Sequence, residues 1–185
     1  MDLEGEINKK ERNGNIVICN DICYEPSLPD VFNKSDLFYS EPARHQTYKT
    51  FLERAGKPNS STYNEYISTI NSIIKKHRSS KSIWLVIGAH MIDKITRPDR
   101  KCSIALHGRS LHLCGWNDSY SYRSFTTAYE FIALLAKRFK CVGDFCCGYG
   151  NTGRIFSSYG KYFVMGDLNP KCVYYIANTL LGDDT

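Results

Sequence analysis

Apolar residues come in short runs separated by turn-forming and amphipathic stretches, and the runs predict strands. Asn15-Ile16-Val17-Ile18-Cys19 is the first, closed by the turn pair Asn20-Asp21. Asp36-Leu37-Phe38-Tyr39-Ser40 is the second, stopped by Pro42, and a connector with Pro26 and Pro29 joins the two. Over residues 62–77, Tyr66, Ile67, Ile70, Ile73 and Ile74 recur at helical spacing, predicting an amphipathic helix. In 82–88, Ile83, Trp84, Leu85, Val86 and Ile87 follow one another, as in a central parallel strand buried on both faces.

Runs over 102–107 and 110–114 flank Gly108-Arg109 and predict a hairpin. Thr126 or Thr127 caps a helix running to about Lys140, whose basic end suits the helix dipole. A strand over 141–146, a helix over 152–159, a strand over 162–165 and a helix over 170–181 follow, the last opening on Pro170. Strands alternating with helices predict an α/β fold, Rossmann-like, with a mainly parallel sheet and one antiparallel hairpin. Residues 1–14, charged and glycine-punctuated, read as a flexible arm, leaving 15–185 as a single domain.

With 185 residues, 42% of them hydrophobic and 23% charged, the chain can bury a sheet on both faces. No apolar run approaches the ~20 residues that cross a bilayer, and the acidic N-terminus lacks a secretory signal's apolar core. The expectation is a cytoplasmic protein with no membrane partner. Eight cysteines include no CxxC pair and no partner ligands at zinc-finger spacing, so they read as reduced thiols and no metal is expected. The net charge is +5, yet between Lys75 and Arg109 nine basic residues face only Asp93 and Asp99. Such a concentration suits a polyanion.

The sharpest chemistry lies in Asp144-Phe145-Cys146-Cys147-Gly148-Tyr149-Gly150-Asn151-Thr152-Gly153. Gly148, Gly150 and Gly153 spell G-x-G-x-x-G between a predicted strand and a predicted helix, a turn that presents free N–H groups to a ligand. Asp167 ends the next strand, nineteen positions after Gly148, where a carboxylate accepts from ribose hydroxyls. A dinucleotide and S-adenosylmethionine both fit such a turn. Asp144 discriminates between them: an acid beside the glycines repels a pyrophosphate and attracts an ammonium and a sulfonium.

Those ten residues resemble the cofactor motif of the DNA amino-methyltransferases, D-P-F-x-G-S-G-T-T-G. Residues Tyr162 to Ala177 resemble the family's G-I-E-x-N-P-x-Y-x-x-x-A, and Tyr129 to Leu135 is similar to the helix before the motif. The resemblance implies a class I methyltransferase fold with S-adenosylmethionine held by Asp144, Phe145, Cys146, Gly148, Gly150, Thr152, Gly153 and Asp167. Because this cofactor half (126–185) comes last, it also implies a circularly permuted order with the catalytic half at 15–125. There Asn20-Asp21-Ile22-Cys23 resembles a G-D-C segment whose acid and next residue approach the cofactor's adenine, which adds Asp21 and Ile22.

Leu28-Pro29-Asp30 and Asp36 to Arg44 resemble L-P-x-x-x-x-D-L-I-x-x-D-P-P-Y/W, so Ser40, Glu41, Pro42 and Arg44 are the candidate catalytic residues. Glu41 stands where the family has an acid that accepts from a target amine. Pro42 survives, Ala43 replaces the second proline, and Arg44 replaces the ring that stacks on a flipped base. His45 or Tyr48 is left to supply that surface. The implied activity is methylation of an exocyclic amine of a nucleic-acid base, adenine N6 in DNA first. The same departures fit a second reading, a fold that binds nucleic acid or a partner chain with transfer lost. A third keeps the cofactor and changes the chemistry or the substrate.

Trp116 to Phe125 interleaves rings with a base, a pattern suited to nucleic acid. Expected contacts are Lys94, Arg97, Arg100, Lys101, Arg109, Tyr120, Tyr122 and Arg123. The chain leaves little room for target recognition, so a homodimer or an accessory subunit is an expected partner. A small modification enzyme of this kind suits a phage.

Overall fold

The computed structural model describes residues 9–23, 28–58, 61–106, 109–120 and 122–182. Eight strands form one sheet: β1 (Lys9–Arg12), β2 (Asn15–Cys19), β3 (Leu37–Ser40), β4 (Ser82–Ile87), β5 (Arg100–Leu106), β6 (Arg109–Trp116), β7 (Cys141–Asp144) and β8 (Tyr162–Asp167). Across the sheet they run β1-β2-β8-β7-β3-β4-β6-β5. The five from β2 to β4 are parallel, while β1 pairs antiparallel with β2, and β6 runs antiparallel to both β4 and β5. The mainly parallel α/β sheet with the β5–β6 hairpin is as expected, a second antiparallel hairpin, β1–β2, is added at the opposite edge, and β4 is interior but mixed, parallel on one side only.

The helices are α1 (His45–Arg54), α2 (Tyr63–His77), the single turn α3 (Ala89–Ile92), α4 (Ala128–Arg138), α5 (Asn151–Ser158) and α6 (Pro170–Leu180). Local signals set their starts. Thr62 and Glu65 close a capping box on α2, Thr127 caps α4, and Asn169 caps α6 with Pro170 at its first turn. Helix α1 follows from Tyr48 and Leu52, four apart and both buried.

Residues 9–14, read from sequence as part of a flexible arm, instead form an edge hairpin. Asn13 and Gly14 both have positive φ, 51° and 80°, as a two-residue hairpin turn requires. Arg12 then donates to the Leu181 carbonyl at 2.6 Å and Lys10 to that of Gly182, tying the edge to the end of α6. Residues 1–8 of the expected arm and the hairpin tip 107–108 lie outside the described residues.

Both faces of the sheet are covered. Phe38, Ile83, Leu85 and Ile87 point to α1, α2 and α3, where Ile67, Ile70, Ile73 and Ile74 meet them. Leu37, Tyr39, Trp84 and Val142 point the other way, onto Phe131 and Leu135 of α4, Phe156 of α5 and Ile176 of α6. The chain leaving β7 passes through α5 on one face, and the chain leaving its neighbour β3 passes through α1 and α2 on the other. Their ends diverge, and this switch point is where open parallel sheets bind ligands.

Candidate functional site

A cleft of about 390 Å³ opens at that point, along the C-terminal ends of β2, β8, β7 and β3. The glycine turn forms one wall, and Tyr48, Leu52 and Tyr66 from α1 and α2 form the other. Asp21, Ile22, Glu41, Asp144, Phe145, Cys146, Gly148, Thr152 and Asp167, all expected from sequence, line it together. A Cβ added to Gly148 (φ 51°) would meet nothing within 4 Å, so the loop leaves open space there.

Asp144 sits at the centre, 2% exposed. One oxygen accepts from Ser40 Oγ at 2.7 Å and from the Cys146 N–H at 3.2 Å, and the other from Thr152 Oγ1 at 2.8 Å. Ser40 Oγ also accepts from the Phe145 N–H, so β3 and the turn are stitched through one hydroxyl. Burial raises the Asp144 carboxyl to about 7, against the pull of these donors. Asp167 accepts from the Gly148 N–H at 2.8 Å and the Asn169 N–H at 2.9 Å, and burial raises it to about 6.

Glu41 accepts from the hydroxyl of fully buried Tyr39 at 2.8 Å. Pro42 is buried, and the Ala43 N–H donates to Tyr66, whose hydroxyl also meets Cys146 Sγ at 3.5 Å. Arg44 departs from the expected constellation: its stem lies along Gly88 at the end of β4. His45 is turned to Tyr63 and His90. The rings beside the turn are Tyr48 and Tyr66, 4.6 Å apart and tilted by 31°. Gly150 and Gly153 are structural parts of the turn: Gly150, at φ 80°, closes it, and Gly153 packs α5 against Met165 and Phe163.

One feature has no signal in the sequence. Asn20 lines the cleft 3% exposed, and both atoms of its amide lack a hydrogen-bond partner. Beside it Asp21 is already engaged by the Cys23 N–H at 3.1 Å and by Lys57 at 3.4 Å. Ile22, Leu168 and Cys172 line the same end. These residues fit an adenosyl group: an apolar slot with an amide to read a heterocycle edge, a carboxylate for ribose hydroxyls, and a second carboxylate for a cationic tail. The buried acid Asp144 so close to the turn does not fit a pyrophosphate.

The expected nucleic-acid residues lie elsewhere. Register sets Arg100 opposite Gly115 and Gly115 opposite Trp84, so Arg100 and Lys101 lie beside the first half of β4, away from the cleft. Lys94, Arg97 and Arg123 are exposed along the same edge of the sheet, and Arg109 opens β6 with its side chain outside the described residues. Tyr122 packs on Trp84, Phe125 and Phe131. Tyr120 lies on Arg138, which forms a two-pronged ion pair with buried Asp118. This loop is anchored by its rings. Among the described residues there is no cluster of metal-ligating side chains, and no helix is long and apolar enough to cross a membrane.

No protein-family model matches the sequence, and no curated protein matches it. Solved structures do share its fold. TTHA0409 from Thermus thermophilus, described as a candidate DNA modification methylase, aligns over 89% of this chain and 95% of its own, at 12% identity and a TM-score of 0.57. Its selenomethionine form aligns over 85% and 90%, at 11% and 0.56. M1.HpyAVI in complex with SAM aligns over 88% and 97%, at 10% and 0.48. The chain thus has the fold of TTHA0409, built here as a mainly parallel α/β sheet with an antiparallel hairpin at each edge.

Proposed function

We propose that the cleft binds S-adenosylmethionine and that the chain transfers its methyl group to an exocyclic amine of a nucleic-acid base, adenine N6 in DNA. The observation that carries this reading is Asp144, a buried carboxylate at the switch point whose ionised form has no counter-ion among the described residues. A cationic ligand supplies one. In this reading the chain is circularly permuted, with the target half at 15–125 and the cofactor half at 126–185.

S-adenosylmethionine, when bound, supplies an electrophilic methyl group on a sulfonium. Asp144 faces the cationic end, Asp167 accepts from the ribose hydroxyls, and Asn20 with Ile22 meets the adenine. Tyr39 holds one oxygen of Glu41, leaving the other to accept an N–H of the target amine and turn its lone pair toward the methyl. Orientation of this kind provides most of the rate, since an amine needs no strong base before it is alkylated. Glu41 or solvent then takes the proton the nitrogen loses. Tyr48 and Tyr66 give the base a stacking surface in place of the missing ring at Arg44.

Transfer of labelled methyl to DNA tests the reading. The parent should label adenine-containing DNA, and Glu41→Ala should lose labelling by at least about a hundredfold while still binding the cofactor. Equal labelling by Glu41→Ala would contradict the assignment. The position of Arg44 over Gly88 favours one other reading, a fold that binds cofactor and nucleic acid or a partner subunit without transfer. It predicts binding and no label on any nucleic acid.

A further inference from the structure

Among the described residues two exposed rings line the cleft, Phe51 of α1 and Tyr149 of the glycine turn, and neither belongs to the Trp116–Phe125 loop. Tyr149 is 60% exposed, lines the cleft from the glycine turn, and meets Tyr175 of α6 edge-on, with ring centroids 5.4 Å apart. Arg154 of α5 lies over the Tyr175 ring at 5.2 Å. Tyr174 is also exposed, and Lys171 stands three and four residues before the two rings, on the same stretch of helix surface. Neither α5 nor α6 carries an acidic residue. The cleft mouth therefore runs onto a face made of three tyrosines and two cations.

We propose that this α5–α6 face is a binding platform for single-stranded nucleic acid leading to the cleft. Charge and shape select that occupant. Two cations without a neighbouring acid on these helices suit a phosphate backbone, and exposed rings offer stacking partners to unpaired bases. A duplex has its bases already stacked within it and gains little from exposed ring faces. The inference rests on the nucleic-acid part of the proposed function, but it locates the strand on the face opposite α1 and α2, away from the β5–β6 edge.

The test is fluorescence anisotropy of a labelled single strand of mixed sequence, and of its duplex, without cofactor. The parent should prefer the single strand. Tyr175→Ala should weaken single-strand binding roughly tenfold, as expected for one lost stacking contact, while Tyr175→Phe keeps parental affinity. Arg154→Ala should reduce the slope of log affinity against log salt by about 0.7, the share of one phosphate contact. Parental binding by Tyr175→Ala and Arg154→Ala, with loss only in Lys101→Ala, would overturn the proposal and place the strand on the hairpin. A change of sedimentation mass in the α5–α6 variants with unchanged oligonucleotide binding would overturn it in favour of a second copy. Methyl transfer in the parent separates the two ideas: transfer with unaltered binding by the variants refutes the platform alone, and platform binding without transfer refutes the enzyme alone.

Discussion

Replacing Asp144 by asparagine separates what this carboxylate contributes to a ligand from what it costs the fold. The amide is isosteric. Its oxygen can accept from Ser40 and the Cys146 N–H, and its NH2 can donate to Thr152 Oγ1, so the packing and stitching of the turn survive. What disappears is the buried negative charge. Asp144 titrates at about 7 in the folded chain against 3.8 for an ordinary aspartate. The folded state therefore holds a proton that the unfolded state releases between these values, and stability falls as pH rises from one to the other. Three pK units correspond to roughly 4 kcal/mol, a ceiling for the penalty above pH 7. The variant has no such penalty. Its advantage over the parent should be near zero at about pH 4 and reach a few kcal/mol at about pH 8. Even about 2 kcal/mol would raise Tm by roughly 4–8 °C in a chain of this size. Asp167 adds its own pH dependence to both proteins and cancels from the difference. Thermal or urea unfolding of the pair across this range measures it. A pH-independent difference, or a variant less stable than the parent at high pH, would refute the reasoning.

Other outcomes follow from the same geometry. Affinity for S-adenosylmethionine should rise with pH through about 6 to about 7, as Asp167 and Asp144 ionise, and level off above; a flat titration profile would count against Asp144 as the cation's partner and Asp167 as the ribose acceptor. Asn20→Leu removes an unpartnered buried amide, so it should stabilise the free protein by about 1–2 kcal/mol in denaturant while weakening adenosyl binding about tenfold. A destabilised variant with parental affinity would contradict that. Asp118→Ala strands the Arg138 guanidinium and the Trp84 indole N–H, and should lower Tm by about 10 °C in calorimetry. An unchanged Tm would mean that the ion pair does not anchor the loop.

The glycine turn is legible in the sequence because its signals are local: glycines at fixed spacing, an acid before them, and Asp167 at the end of the next strand. The edge hairpin is equally local, in Asn13-Gly14, but charged neighbours mask it and 1–14 reads as an arm. Helix α1 is hard to see because Tyr48, Phe51 and Leu52 fall among polar residues and next to a motif that reads as a strand-end turn. The proposed nucleic-acid surface is not legible at all. Tyr122 and Tyr175 look alike in sequence, and only packing sets one against Trp84 and Phe131 while leaving the other beside Arg154. Asn20 shows the same limit, since an asparagine at a strand end announces a turn and not a buried amide without a partner.

Isothermal titration of the purified chain with S-adenosylmethionine, with NAD as comparator and Asp144→Ala as control, tests the central claim most directly. The account predicts saturable binding of S-adenosylmethionine, no binding of NAD, and loss of the signal in a control that remains folded. Binding of NAD in its place, or of neither ligand, would contradict it and leave the glycine turn as architecture alone.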